Sequence, residues 1–170
     1  MTPTVPVSPT TGYLIWHVAM SWRVATDRAL SPVGLTNAQY AVLASLHGMS
    51  RAGARPSQRE LGDASGLEPM YVSKLVRSLE SAGLLRRERD PADPRAFRVA
   101  LTTRGIQVAE TAAEIVGGLL EELLAPLGGA ASARSRELNQ VLQALARHAA
   151  AVNRADGTAG EGKKRERRTP

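Results

Sequence analysis

The hydrophobic pattern of this chain changes its period near Gly83, and this change limits the folds that the chain can adopt. From Glu68 to Ala82 the apolar residues recur three or four positions apart, which is typical of an amphipathic helix. From Phe97 to Leu101 they alternate with other residues, which is typical of a strand. A similar run over residues 84–89 precedes a loop rich in proline and aspartate. The sequence therefore predicts a helix that is followed directly by a β-hairpin.

Three helices are predicted upstream of this point. The first covers about residues 12–30 and is expected to end at Pro32 and Gly34. The second and the third each begin with a capping box, in which a Ser or Thr side chain and a Glu or Gln side chain three residues on bond each other's backbone N–H. These pairs are Thr36 with Gln39 and Ser57 with Glu60. A short helix, a turn at Gly66, a longer helix and a hairpin follow in the order of a winged helix-turn-helix domain.

Two more helices are predicted after the hairpin, one from Thr102 or Thr103 to about Leu124 and one over residues 132–152. The former has apolar residues on two sides, so that it needs two partners, its own domain and a second chain. These residues are Ile106, Ala109, Ala113, Val116 and Leu120 on one side and Val108, Ile115, Leu119 and Leu123 on the other. The pattern predicts a homodimer.

The composition excludes several classes of protein. The chain has no cysteine, which excludes disulfides, thiolate catalysis and thiol redox sensing. His17, His47 and His148 are far apart, and we predict neither a metal site nor a cofactor. No apolar run approaches the ~18 residues of a membrane-spanning helix, and residues 1–11 lack the positive charge of a secretory signal. We expect a cytoplasmic protein without a membrane partner.

The net charge of +6 is concentrated in two segments. Residues 161–168 carry five basic and two acidic residues, and residues 86–98 carry five arginines and three acidic residues. Clustered cationic charge attracts a polyanion such as DNA, but it also occurs on ordinary solvated surfaces. Charge alone leaves both interpretations open.

Six short motifs follow one another in a fixed order. They are Leu35-Thr36-Asn37-Ala38-Gln39-Tyr40, Glu60-Leu61-Gly62, Val72-Ser73-Lys74, Leu79-Glu80-Ser81-Ala82-Gly83-Leu84, Asp90-Pro91-Ala92-Asp93-Pro94-Arg95 and Leu101-Thr102-Thr103-Arg104-Gly105. Over about residues 35–105 the chain thus resembles the MarR family of transcriptional regulators. It departs from the family at Lys74, where an arginine is usual, and at Pro94, which is often arginine.

The resemblance implies a mainly α fold with a small β-hairpin wing, in which dimerisation helices flank the DNA-binding domain. We expect a disordered arm over residues 1–10 and an N-terminal dimerisation helix over 11–34. The winged helix-turn-helix domain then covers 35–103, the C-terminal dimerisation helices cover 104–152, and a disordered basic tail covers 153–170.

DNA contacts are predicted on three elements of this domain. The predicted helix from Glu68 to Ala82 is the recognition helix, which enters the major groove. The helix before it presents its N-terminus to a phosphate, and the wing reaches the minor groove. The predicted contact residues are Ser57, Gln58, Met70, Tyr71, Ser73, Lys74, Arg77, Arg87, Arg95 and Arg98. Two points stay open: Ser73, Lys74 and Arg77 can form a plain solvent face, and Met70 and Tyr71 can pack inside rather than touch thymine methyl groups.

The resemblance also implies a small-molecule effector, since members of the family often bind phenolic or lipophilic anions between the dimerisation helices and the winged domain. In this chain that region includes Trp16, His17, Met20, Trp22, Arg23, Tyr40 and His47. Aromatic residues at helical spacing also occur in ordinary cores, and no motif specifies a pocket.

The sequence therefore indicates a regulator that binds double-stranded DNA as a homodimer, on a pseudo-palindrome with half-sites about one helical turn apart. Repression is the commoner behaviour in the family. An enzyme is the main rival, but the chain shows no nucleophile elbow, phosphate loop or metal set. Two further hypotheses stay open, an interaction module that uses the basic wing and a DNA-binding protein that responds to no ligand.

Overall fold

The computed structural model describes residues 9–90 and 97–166, with side chains described up to residue 152. These residues form mainly helices and a two-stranded antiparallel sheet, which confirms the predicted fold class. The elements are α1 (Thr11–Leu30), α2 (Asn37–Arg51), α3 (Gln58–Ser65), α4 (Pro69–Ser81), β1 (Leu85–Arg89), β2 (Phe97–Leu101), α5 (Thr103–Leu124) and α6 (Ala133–Glu166). Short 3₁₀ turns follow α1 and α5.

Both predicted capping boxes form. The Thr36 backbone N–H donates to Gln39 Oε1 over 2.8 Å, and the Ser57 backbone N–H donates to Glu60 Oε2 over 2.7 Å. In each case the hydroxyl of the first residue accepts the backbone N–H of the second. These bonds satisfy donors that a helix start otherwise leaves open, and they fix where α2 and α3 begin.

The core of the helix-turn-helix lies between α2, α3, α4 and the hairpin. Helix α4 buries one face completely, with Val72, Val76 and Leu79 fully enclosed. It packs against buried residues of the neighbouring elements, which are Val42, Leu43, Leu46, Leu61, Leu84, Leu85, Val99 and Leu101. Because this face is held by packing, the opposite face of α4 is the one available to a ligand.

The hairpin is joined to the chain before α3. In its register Leu85 lies opposite Leu101 and Arg89 lies opposite Phe97. The Val99 N–H also donates to the Pro56 carbonyl over 2.9 Å, and Ser57 forms a bridge with Arg98. The base of the wing and the start of α3 therefore form one hydrogen-bonded unit.

The start of α5 is fixed against the turn that follows α4. The Thr102 hydroxyl donates to the Gly83 carbonyl over 2.7 Å and accepts the Gly105 N–H over 2.9 Å, while the Thr102 N–H donates to the Leu84 carbonyl over 3.1 Å. Helix α5 then packs into the core through Ala109, Ala112 and Val116. This part of the helix thus belongs to the first of two compact units, which cover residues 1–119 and 120–170.

The second unit is dominated by α6, which runs to Glu166 and not to the predicted end at residue 152. No proline occurs between Pro126 and Pro170, and each of the intervening glycines costs a helix only about 1 kcal/mol. Every residue from 136 to 152 is exposed, although apolar positions recur along the helix. Of the arm over residues 1–10 and the tail over residues 153–170 for which disorder is predicted, residues 1–8 and 167–170 lie outside the described residues.

Candidate nucleic-acid interface

The exposed face of α4 is the centre of the candidate interface. Glu68 caps the helix by accepting the Tyr71 N–H over 3.0 Å, and Pro69 occupies the first turn, where a missing N–H costs nothing. Met70, Tyr71, Lys74 and Arg77 are exposed, and Ser73 is half-buried. The recognition-helix residues that the sequence predicts thus share the face opposite the buried one.

This face changes character along the helix. Its first turn carries the apolar side chains of Met70 and Tyr71, and the following turns carry the cations Lys74 and Arg77. Neither cation lies within ion-pair distance of a carboxylate among the described residues. Their charges are therefore available to an anionic partner.

The N-terminus of α3 lies beside the start of α4. Gln58 and Arg59 occupy its first turn, and together with Pro69 of α4 they line a cleft of about 460 Å³. Hydrogen bonds from Ser57 lower the pKa of Glu60, so this carboxylate stays ionised close to the helix start. The helix end that we expected to attract a phosphate thus also carries a negative charge.

Two arginines of strand β1 are held by carboxylates of the same chain. Arg87 bonds Glu80 of α4, with 2.6 Å between Nη2 and Oε2, and its guanidinium lies 6.0 Å from the centre of the Phe97 ring. Arg86 pairs with Glu88. Neither partner is predicted from the sequence, although the acidic residue in Leu-Glu-x-x-Gly is a visible signal.

Arg98 joins three segments. Its Nε donates to Asp90 over 2.6 Å, and its Nη1 lies 2.8 Å from the Arg55 carbonyl and 3.3 Å from Glu60. Asp90 is only 8% exposed, so the arginine compensates a largely buried charge. DNA contact by Arg87 and Arg98 stays a prediction, but the structure gives both side chains a structural task. Arg95 lies outside the described residues.

The predicted effector residues lie in separate places. Trp16, His17 and Met20 line an open groove of about 470 Å³ on α1, whereas His47 lines a cavity of about 550 Å³ with Arg51, Arg55 and Val99. The other three are Arg23, which pairs with Asp27, and Trp22 and Tyr40, which pack against the core. Burial raises the pKa of the Tyr40 hydroxyl, which keeps it neutral.

The described residues contain no helix that is both long and apolar enough to cross a membrane. They also contain no group of three or more His, Asp or Glu side chains placed to hold a metal ion.

We expect the ion pair between Glu80 and Arg87 to make the free energy of unfolding depend on pH in the acidic range. The Arg87 guanidinium lowers the pKa of Glu80 in the folded protein below its ordinary value of 4.5. The stability that this pair contributes is complete above that pH and is lost as the pH falls through the lower, folded value. Urea unfolding of Glu80→Gln should therefore show a shallower loss of stability below about pH 4.5 than the wild type.

The exposed carboxylate of Glu114 on α5 provides the control, since it has no ion pair among the described residues. In Glu114→Gln the loss of stability at acidic pH should stay closer to that of the wild type. If Glu80→Gln loses stability at acidic pH as steeply as the wild type, the pair contributes nothing.

Comparison with known proteins gives one consistent result. The model of the MarR family matches residues 33–96. The HTH-type transcriptional regulator YdcH of Bacillus subtilis is 33% identical over 105 residues, which cover 62% of this chain and 71% of the relative. The HTH-type transcriptional repressor Rv2887 of Mycobacterium tuberculosis is 30% identical over 137 residues, which cover 79% of this chain and 91% of the relative.

A solved structure of the S. aureus MepR–DNA complex is also similar. Its TM-score is 0.70 at 25% sequence identity, and the match covers 85% of this chain and 99% of the other. The similarity thus extends from the helix-turn-helix motifs to most of the chain.

Proposed function

We propose that this chain, which belongs to the MarR family and is a DNA-binding transcriptional regulator, represses transcription as a homodimer bound to a pseudo-palindromic operator. The observation that carries the proposal is the exposed face of α4, where Lys74 and Arg77 have no carboxylate partner among the described residues. Repression is supported by the name of the mycobacterial relative, a transcriptional repressor. The chain acts in the cytoplasm and has no enzymatic activity of its own.

The dimer is supported by apolar residues that are exposed on helices of both units. On α1 they include Leu14, Ile15 and Val18, and on α6 they include Leu142 and Leu145. A helix whose apolar stripe is uncovered has little stability of its own, because most helical stability in proteins comes from packing such a face. A second copy of the chain covers these faces and sets the distance between the two recognition helices.

Three elements of each protomer contact DNA in this proposal. Helix α4 enters the major groove with Ser73, Lys74 and Arg77, and Gln58 at the start of α3 contacts a phosphate. Arg95, which lies between β1 and β2 in the sequence, reaches the minor groove. We assign Arg87 and Arg98 to the support of the wing, since their guanidinium groups already bond carboxylates.

A small aromatic or lipophilic effector is the second part of the proposal. The groove on α1 beside Trp16, His17 and Met20 provides an apolar surface with Arg28 at its edge, which suits an amphipathic anion. Salicylate is a simple probe of this chemistry: binding should quench tryptophan fluorescence and release DNA in the same concentration range. Release without quenching would contradict the groove on α1 as the effector site, and no release at all would favour a regulator that responds to no such ligand.

Arg77 and Lys74 are expected to do different work in the operator complex. A guanidinium can bond guanine with two parallel hydrogen bonds, whereas an ammonium meets a phosphate as a point charge. Arg77→Ala should therefore relax base preference at one half-site position, at a cost of about 1–3 kcal/mol. Lys74→Ala should weaken binding to all sequences and lower the salt slope by about one unit for each protomer.

A binding-site selection and a salt titration on both variants test this division. Arg134→Ala on α6 is the matched control, because it removes an equal charge outside the interface. If Lys74→Ala changes the preferred sequence and Arg77→Ala changes only the salt slope, the two roles are reversed.

A gel-shift assay with the upstream DNA of the protein's own gene tests the function as a whole. A retarded complex that persists in the presence of excess unrelated DNA supports a regulator. Equal competition by unrelated DNA would contradict it, and so would a chain that binds an acidic protein and leaves the DNA unretarded.

A further inference from the structure

The most exposed large apolar side chain of the described residues lies at the start of the recognition helix. Met70 is 71% exposed, and the neighbouring Tyr71 is 45% exposed. Neither packs against the hydrophobic core, although Leu67 before them and Val72 after them both do. The structure thus shows that these two side chains do not pack inside the domain.

The position of Met70 is fixed by its neighbours. Glu68 caps the helix through the Tyr71 N–H, and Pro69 constrains the backbone of the first turn. Met70 is the second residue of α4. Because the N-terminal residues of a recognition helix lie nearest to the base edges, insertion of α4 into the major groove would bring Met70 next to bases rather than to the phosphate backbone.

The chemistry of the side chain limits what it can read. Methionine has no hydrogen-bond donor and only a weak acceptor, so it cannot distinguish bases by hydrogen bonding. The feature of the major groove that favours an apolar contact is the C5 methyl group of thymine. The cations on the same face follow later in the helix, at Lys74 and Arg77, which leaves the first turn to apolar contacts.

We propose that Met70 determines specificity by contacting a thymine methyl group in each operator half-site, with the ring of Tyr71 beside it. This inference rests on the proposed insertion of α4 into the major groove. It adds a base preference that no motif in the sequence specifies. The half-site should therefore contain a thymine at the position that faces the start of α4, separate from the position read by Arg77.

The test uses deoxyuridine, which differs from thymidine only by the missing methyl group. An operator is first selected with the full-length wild-type protein, and each thymine of one half-site is then replaced in turn. Replacement at one position should weaken wild-type binding about three- to fivefold, as expected for one buried methyl group. Met70→Ala should bind the thymidine and deoxyuridine operators equally.

Met70→Leu is the matched variant, because it keeps the volume and the apolar surface of the side chain. It should retain the preference for thymidine, which a general disturbance of the helix start would abolish in both variants. Insensitivity of the wild type to every deoxyuridine would overturn the inference, and so would a preference that survives in Met70→Ala. Failure to select any operator would instead overturn the proposed function.

Discussion

Replacing Gly105 by alanine is expected to destabilise the folded protein by about 3 kcal/mol, the largest effect we predict for a single methyl group. A Cβ atom at this position would lie 1.7 Å from the Leu84 carbonyl oxygen and 2.8 Å from its carbonyl carbon. These are backbone atoms, so no rotation of a side chain can relieve the overlap. Either α5 or the turn after α4 must move.

That movement breaks several bonds at once. The Leu84 carbonyl accepts the Thr102 N–H, and the preceding Gly83 carbonyl accepts the Thr102 hydroxyl. Shifting the start of α5 also displaces Ala109, which is buried in the core. We expect the loss of stability to appear in urea unfolding followed by circular dichroism.

Gly48→Ala is the matched control. Gly48 also lies in a helix, α2, but nothing lies within 4 Å of the Cβ that alanine would add. Alanine should stabilise this site by about 0.5–1 kcal/mol, because glycine is the poorer helix former. If both variants unfold at the wild-type urea concentration, the close approach of α5 to the α4 turn does not constrain the fold.

A glutamate in place of Leu142 is expected to lower operator affinity by about 100-fold or more. Leu142 is 46% exposed in the single chain and lies in the apolar stripe of α6, with Leu138, Val141 and Leu145. If a second copy covers this stripe, the variant buries an unpaired carboxylate, and the dimer dissociates. Binding of the second half-site then loses the effective concentration that the dimer supplies, which is worth roughly 10²–10⁴ in affinity.

Sedimentation and DNA titration should be measured on the same samples. Gln143→Glu introduces an equal charge one residue away, outside the apolar stripe, and should remain a dimer with near wild-type affinity. A Leu142→Glu variant that stays dimeric would show that this part of α6 is not in the interface.

The local features of the fold were predictable from the sequence because their causes are local. The capping boxes at Thr36 and Ser57 depend on residues only three positions apart. The buried face of α4 follows from the spacing of Val72, Val76 and Leu79, and these residues are fully buried. The change of period near Gly83 marks the hairpin for the same reason.

Partners that are distant in the sequence were not predictable in this way. Arg98 bonds Glu60, which is 38 positions away, and nothing in either local pattern connects them. The sequence therefore grouped Arg87 and Arg98 with the DNA contacts, whereas the structure holds both on carboxylates. Whether Met70 is exposed also depends on how α3 and α4 pack, and the position of Met70 in the hydrophobic pattern of α4 does not specify this packing.

The central claim is that two copies of this chain recognise a two-fold symmetric DNA site through α4. Selection from random duplexes with the full-length protein, followed by measurement of the mass of the complex, tests this claim most directly. We predict an enriched pseudo-palindrome whose half-sites are about one helical turn apart, occupied by two chains. A pool without any enriched sequence, or an enriched single half-site bound by one chain, would contradict the claim.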